Sequence, residues 1–422
     1  MKDFSPKTPN TVPNGAPLER RTFLKRSSGL AIATAVGMHV PFGRNFPEGF
    51  MPVALAKEDL ATYGKEADLI VLGDQPFVAE TPAHLLDDNY TPERLMFVRN
   101  NGVMPKADQL DPLDWVLTID GESAVTSKSY SLAELKLKFK PVTHHIALEC
   151  AGNGRAAFNP PVKGNQWTHG GVGFPTWNGY RLADVLHASG VKDDAVYVAY
   201  HSIDAHLSGD PKKEAISRGV PIAKALEEES LIVWGMNGVD LPLAHGFPMR
   251  VIFGGYPASA SGKWVTRISI RNKVHDGEKM NGHDYRVPCK ANTPGQTSDN
   301  YCIIEDMPVK SLITFPKSGI EHLQGAPLQV RGRAWTSAVR VQKVDLSMDF
   351  GKTWTGTRIT TPRNRYAPQR FTTDLNFPAK GYYEIWARAT DDGGRVQPLV
   401  VPEWNQGGYG NNACHRIAVK VV

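Results

Sequence analysis

Cys150 is the residue whose type and setting most clearly offer chemistry. It follows the apolar run His145–Leu148, which reads as a strand, and precedes the turn Gly152-Asn153-Gly154. A thiol so placed is fixed on a rigid strand end and open on one side, as a metal ligand must be. Other readings compete. A lone cysteine after a strand is commonly a small buried hydrophobe. A catalytic thiol needs a histidine and a third orienting group brought from elsewhere in the chain. The run Gly152-Asn153-Gly154-Arg155-Ala156-Ala157 fits the dinucleotide pattern G-x-G-x-x-A. That pattern requires a helix opening at the glycines, and Asn159-Pro160-Pro161 stops any helix there. His144-His145 and the stretch from His275 to His283 have no metal-ligand spacing and read as structural.

The words around Cys150 extend through the chain. Glu149-Cys150-Ala151-Gly152-Asn153 resembles the molybdenum-binding signature of the sulfite oxidase family, and Phe97-Val98-Arg99-Asn100-Asn101-Gly102 its F-x-R-N-H segment. Lys163-Gly164-Asn165-Gln166-Trp167 is similar to K-G-x-x-W, His245-Gly246-Phe247-Pro248-Met249-Arg250 to H-G-F-P-x-R, and Lys263-Trp264 to the K-W that follows. Asp284-Tyr285, Trp404-Asn405 and His415-Arg416 complete the series. The resemblance covers roughly residues 66–422 and is closest in appearance to bacterial periplasmic sulfite dehydrogenases. Asn101 stands where the animal enzymes have histidine, and Cys414 replaces a tryptophan.

The resemblance implies a molybdenum–molybdopterin cofactor, one per chain, with Cys150 as the protein's metal ligand. It implies substrate contacts from Arg99, Arg155, Trp167 and Tyr285. Cofactor contacts are expected from Phe97, Asn100, Asn101, Lys163, Asp204, His245, Arg250 and Lys263. Arg370, or Arg365 in its place, is expected as a third substrate arginine. These residue types suit a compact sulfur oxyanion. Arginine presents a planar fork that keeps its charge, while Tyr and Trp add a neutral donor and exclude water. Thiolate sulfur suits a redox-active transition metal.

Positioning these residues requires a mixed α/β layout. Strands are predicted at Trp115–Ile119, His145–Leu148, Ala195–Tyr200, Leu231–Trp234 and Met249–Phe253, with helices at Arg181–Ala188 and Ile222–Glu229. Ser131 with Glu134 has capping-box spacing, predicting a helix to Lys138. Residues 57–105 read as an entry segment. After about residue 305, alternating runs such as Leu328–Trp335 and Tyr383–Ala389 are separated by turns at Asp349-Phe350-Gly351 and Asp391-Asp392-Gly393. They predict an immunoglobulin-like β-sandwich. The expected class is α+β: a mixed α/β molybdopterin-binding domain of the sulfite oxidase fold at 57–305, then the sandwich, a dimerisation domain, at 306–422.

The chain has 422 residues, enough for two or three cores. Its net charge of +5 comes mostly from the first 56 residues, which hold seven Lys/Arg and three acids. The rest is near neutral, which gives no electrostatic case for nucleic acid. Glu19-Arg20-Arg21-Thr22-Phe23-Leu24-Lys25, the weakly apolar run from Gly29 and Ala54-Leu55-Ala56 read as a twin-arginine signal peptide over 1–56. Export in a folded state to the periplasm, with no membrane anchor after cleavage, is expected. Of four cysteines, Cys289 and Cys302 flank a turn-rich loop and are expected to pair in an oxidising compartment. There is no C-x-x-C-H, so no haem is expected on this chain.

The functional expectation is oxidation of sulfite to sulfate, with electrons passed to an external c-type cytochrome by a homodimer. Two enzymatic alternatives stand beside it: a molybdopterin-dependent sulfoxide reductase, and the catalytic subunit of a sulfur-compound dehydrogenase complex with a haem subunit. A non-catalytic binding protein on the same scaffold is disfavoured by the retention of Cys150, Arg99 and Tyr285.

Overall fold

The computed structural model describes residues 57–290 and 300–422. The twin-arginine motif and its apolar run lie outside the described residues. Strand Val116–Asp120 buries Leu117 and Ile119 and turns its other positions outward, the period of two expected of a sheet with one covered face. It runs parallel to Val265–Arg271 and antiparallel to Lys128–Ser131. Tyr197–Ser202 and Gly219–Pro221 complete this mixed five-stranded sheet. A second, antiparallel sheet orders Val239–Asp240, Ser230–Met236, Thr176–Arg181 and Pro141–His145, with Arg250–Phe253 also paired to Ser230–Met236. Helix Leu182–Ser189 buries Leu182, Val185 and Leu186 in a core shared with both sheets. Among the described residues no helix is long and apolar enough to cross a membrane.

The helix at Leu132–Lys138 forms as its cap predicts. The Glu134 N–H donates to Ser131 Oγ at 3.2 Å, and Glu134 Oε2 accepts from the Ser131 N–H at 2.8 Å. Elsewhere the chain holds less helix than expected. The segment expected as Ile222–Glu229 is helical only over Ile222–Ala225. The Lys224 carbonyl accepts from the Glu227 N–H at 3.2 Å and from Ser230 Oγ at 2.6 Å, closing a tight turn instead. The run at 145–148 is broken: Pro141–His145 pairs in the second sheet, and Leu148–Glu149 pairs separately with Val172–Gly173. Residues 57–105 are more than an entry segment. They build a three-stranded sheet, Ile70–Asp74, Phe77–Glu80 and Val98–Arg99, whose last strand delivers Arg99.

Toward the C-terminus two sheets share one core. The first orders Lys310–Phe315, Leu328–Trp335, Gln369–Leu375 and Arg358–Ile359. The second orders Ile320–His322, His415–Val421, Gly381–Asp391, Val341–Ser347 and Thr355–Gly356. Val330, Val344, Phe371, Ile385 and Val419 meet between them. Burying a large aliphatic or aromatic side chain stabilises by roughly 1.5–3 kcal/mol.

Candidate active site

Leu148–Glu149 ends in a turn that fixes Cys150. The Cys150 N–H donates to Gly171 O at 2.8 Å, and the Cys150 carbonyl accepts from the Asn153 N–H at 2.9 Å. Gly154 takes φ 91°, and only a single 3₁₀ turn follows, Arg155–Ala157. The helix a dinucleotide loop would need does not form. Cys150 lines a cleft. Phe97, Arg99, Asn101, Asp204, His245, Arg250, Lys263 and Tyr285 all line it. These residues come from segments far apart in the chain, so the family words holding Arg99, Cys150, His245, Lys263 and Tyr285 converge on one place.

Asn101 organises one corner of the cleft. Its Oδ1 accepts from Arg99 Nη2 at 2.9 Å and from the Tyr285 hydroxyl at 3.0 Å. Tyr285 has φ 51°, as does the neighbouring wall residue Trp264. A left-handed backbone at a bulky residue costs of order 1–3 kcal/mol and is held only where its surroundings over-determine it. For Tyr285 part of that hold comes from the Ile304 N–H, which donates to its carbonyl at 3.0 Å.

The far wall is electropositive and short of counter-ions. Lys65 donates to His245 Nε2, to Glu93 O at 2.6 Å and to Met96 O at 3.0 Å. Arg250 donates to His245 O at 3.0 Å and Ser261 O at 2.9 Å. Lys263 donates to Asn100 Oδ1 and to Ala244 O at 2.9 Å. Their acceptors are carbonyls, an amide oxygen and a ring nitrogen, and none of the three makes a carboxylate ion pair among the described residues. Burial brings the Lys65 ammonium down to about 7, with Glu93 pulling weakly upward. Burial brings Arg250 to about 9. Lys263 is held well below its usual range by burial and then by Arg250, against the pull of Asp204. His245 is depressed by burial and by the charges of Lys65, Lys263 and Arg250, so its ring is neutral. Asp204, raised by burial, is the acid on this wall and accepts from Ser202 Oγ at 2.7 Å.

A buried cluster of cations without anions is costly, and an anionic ligand relieves the cost. Within the wall, Arg250 Nε is buried and lacks a partner among the described residues. Among the described residues no group of three His, Cys, Asp or Glu side chains gathers to hold a metal. A metal at Cys150 therefore arrives with most of its own ligands. A buried thiol on the cleft lining, a cationic wall and, among the described residues, one lining acid, Asp204, fit a phosphorylated pterin that carries its metal. Arg250, Lys263 and the hydroxyls of Ser259 and Ser261 suit the phosphate, and Asp204 suits a ring N–H.

Several expected site residues lie elsewhere. Asn100 stands behind the wall, its Nδ2 donating to Phe77 O at 3.1 Å. Trp167 is fully buried, edge-on to Phe97 at 5.9 Å, and packs in the same cluster as Cys150 rather than facing the cleft. Arg155 donates to Gly407 O at 2.9 Å and Asn165 O at 3.0 Å, and its guanidinium lies 5.1 Å from the Tyr409 ring. Glycines make room for it: a Cβ at Gly152 would come within 2.5 Å of Arg155 Nη2. Tyr409 stacks on Tyr285 at 5.6 Å, so Arg155 reaches the cleft through two rings. Lys163 is exposed and outside the walls. Arg370 is not a pocket residue. It donates to Asn89 Oδ1 at 2.6 Å and lies 3.7 Å from Asp87. Arg365 pairs instead with Glu227 at 3.3 Å. Arg370 lies in the strand Gln369–Leu375 of the C-terminal sheets, and both arginines are held by acids or amides from segments distant in the chain. Lys65, Arg218, Ser259 and Ser261 were not expected from sequence, and no local motif marks them.

Residues 101–279 match the family model described as the oxidoreductase molybdopterin binding domain. Residues 300–422 match the Mo-co oxidoreductase dimerisation domain. The fold and cleft are thus those of a molybdopterin oxidoreductase. Sulfite oxidase from Gallus gallus is 33% identical over 364 residues, covering 82% of this chain and 77% of that protein. Mitochondrial sulfite oxidase from Rattus norvegicus is 33% identical over 373 residues, covering 84% of this chain. The chain spans 66% of the length of that relative. The crystal structure of the sulfane dehydrogenase SoxCD from Paracoccus pantotrophus aligns with a TM-score of 0.70 at 26% identity, covering 90% of this chain and 94% of that one. The chain belongs to the sulfite oxidase family of molybdopterin enzymes.

Proposed function

We propose that this protein is a periplasmic, molybdopterin-dependent sulfite dehydrogenase that passes its electrons to an external c-type cytochrome. The observation that carries the reading is the corner formed by Arg99, Asn101 and Tyr285, lining one cleft with Cys150. The molybdenum–pterin group, held through Cys150, Arg250, Lys263 and Asp204, supplies the two-electron redox chemistry and oxygen-atom transfer when bound. The chain's own residues do the rest. Arg99 binds the oxyanion by charge-assisted hydrogen bonds. Asn101 fixes Arg99 and turns the Tyr285 hydroxyl toward the same corner. Phe97 and Leu148 supply apolar wall that limits water. Preorganised donors in a dry cleft act on an anion without reorganising.

The reading places a signal peptide at 1–56, a catalytic part to 305 and a dimerising part beyond. The paired sheets at 306–422 support an immunoglobulin-like sandwich, and the dimerisation-domain match supports a homodimer. The likeness to a sulfane dehydrogenase supports one second reading, a catalytic subunit of a sulfur-compound dehydrogenase complex with a haem subunit. The deciding experiment uses natively exported protein. Molybdenum and pterin are quantified, then cytochrome c reduction is followed with sulfite and with sulfane sulfur as donors. One molybdenum per chain and sulfite-dependent reduction are expected. A loaded protein active only on sulfane sulfur would move the assignment to the second reading, and a protein without molybdenum would end both.

A further inference from the structure

Arg218 is a buried cation that the sequence motifs do not mark. It is 1% exposed, and its guanidinium lies 4.6 Å from the centre of the Tyr285 ring. Nη1 donates to Ser259 Oγ, and Nε has no partner among the described residues. Ser259, Tyr285, Tyr200 and Ile216 all line the cleft. Arg218 makes no carboxylate ion pair among the described residues; the groups acting on its charge are the tyrosines Tyr285, Tyr200, Tyr197 and Tyr409. The backbone fixes it tightly, since the Tyr200 N–H donates to the Arg218 carbonyl at 2.9 Å and the Tyr200 hydroxyl to Ser259 O at 2.8 Å. Arg155, Tyr409, Tyr285 and Arg218 therefore stand in series, two guanidiniums with two stacked phenols between them.

A guanidinium keeps its proton and cannot escape burial by neutralising. A ring face offsets part of the cost, and no acid offsets the rest. The positive potential is thus left to act on whatever enters the cleft across Tyr285. In a low-dielectric wall that potential is weakly screened. We infer that Arg218 is a positioning residue of the substrate site, which holds the Tyr285 ring from behind and draws small sulfur oxyanion dianions to the corner of Arg99 and Tyr285. The inference rests on the proposed sulfur-oxyanion activity.

The test compares Arg218→Met with Arg218→Lys in full-length, cofactor-loaded protein. Three quantities are read: KM and kcat for sulfite, KM for an uncharged sulfite diester, and the rise in melting temperature caused by sulfate. Arg218→Met is expected to raise KM for sulfite about tenfold, the effect of 1.4 kcal/mol, and more than it lowers kcat. The sulfate-induced stabilisation should shrink in parallel, while KM for the diester stays near the wild-type value. Arg218→Lys should recover most of both losses. Equal losses on charged and uncharged substrates, or no recovery in Arg218→Lys, would overturn the inference. So would a folded Arg218→Lys beside charge-free variants, Met and Gln, that cannot fold, because the charge would then be structural. If loaded wild-type protein oxidises no sulfite, the functional reading fails; sulfate stabilisation in wild type, lost in Arg218→Met, would still report the anion site.

Discussion

Lys310 reaches Glu149 at 2.6 Å, with side chains 11% and 2% exposed, one residue before Cys150. The same carboxylate accepts from Trp335 Nε1 at 2.8 Å and from Asn153 Nδ2 at 2.9 Å. Lys310 and Trp335 belong to the C-terminal sheets, so those sheets brace the cysteine turn. Removing one partner of a buried pair strands the other charge and costs roughly 3–5 kcal/mol. Lys310→Met is therefore expected to lose stability of that order in denaturant unfolding, and to bind less molybdenum. The double variant with Glu149→Gln should regain part of the loss. A single variant as stable as wild type would show that the pair does not brace the turn.

Cys150→Ser is expected to abolish sulfite turnover while leaving a folded protein. A serine oxygen is a harder and less acidic ligand than thiolate. Circular dichroism and pterin fluorescence should stay close to wild type, since Arg250 and Lys263 are untouched. Sulfite oxidation near the wild-type rate would exclude Cys150 as the metal ligand.

Arg99→Gln is expected to raise KM for sulfite about ten- to a hundredfold, the loss of a charge-assisted contact. Arg155 now calls for a different expectation. Its bonds to Gly407 O and Asn165 O fix loops behind Tyr285. Arg155→Gln should lower both stability and affinity for sulfite. Arg370→Gln should leave KM unchanged, and a large rise there would restore the pocket expected from sequence.

What could be read in the chain depended on whether a residue's role is local. Cys150, Arg99, His245, Arg250 and Lys263 lie in short words whose resemblance to one family, taken together, gave each its role. The Ser131 cap and the alternating strand Leu328–Trp335 were equally local, and both formed. Arg218 and Lys65 gain their meaning only from what they meet, a ring at Tyr285 and an imidazole at His245. Arg370 failed for the same reason, since its partners Asp87 and Asn89 come from a distant loop. The short helix after Ile222 was overruled by side-chain and turn hydrogen bonds to Lys224 O, which periodicity does not register.

The cationic wall predicts a pH dependence in cofactor-free protein. Lys65 falls from its usual 10.5 to about 7 in the fold because burial penalises the charged form. Between those values the unfolded chain holds the proton and the folded chain does not, so stability rises with pH. Below about pH 7 both states are protonated and the penalty is fully present. Cofactor-free wild type should therefore gain denaturant stability from pH 7 to 10, and Lys65→Met should show a flatter profile. The cofactor's phosphate should flatten it too, by restoring the charge. A wild-type profile falling over that range would reverse the assigned direction.

Cys289 and Cys302 are bridged, with Cα atoms 4.9 Å apart, while Cys150 and Cys414 are free and buried. The bridge closes a hairpin in which Arg286–Pro288 pairs with Tyr301–Ile303, directly after Tyr285. Cross-linking a loop of 13 residues stabilises by about 3 kcal/mol in the chain-entropy model. Cys289→Ala with Cys302→Ala is expected to lose about that much in denaturant unfolding. KM for sulfite should rise as well, because the hairpin holds Tyr285 at its left-handed backbone angle. Thiol counting on denatured, unreduced protein should find two free thiols. Alkylation of all four cysteines, or a double variant with unchanged stability, would remove the bridge from the account of how Tyr285 is held.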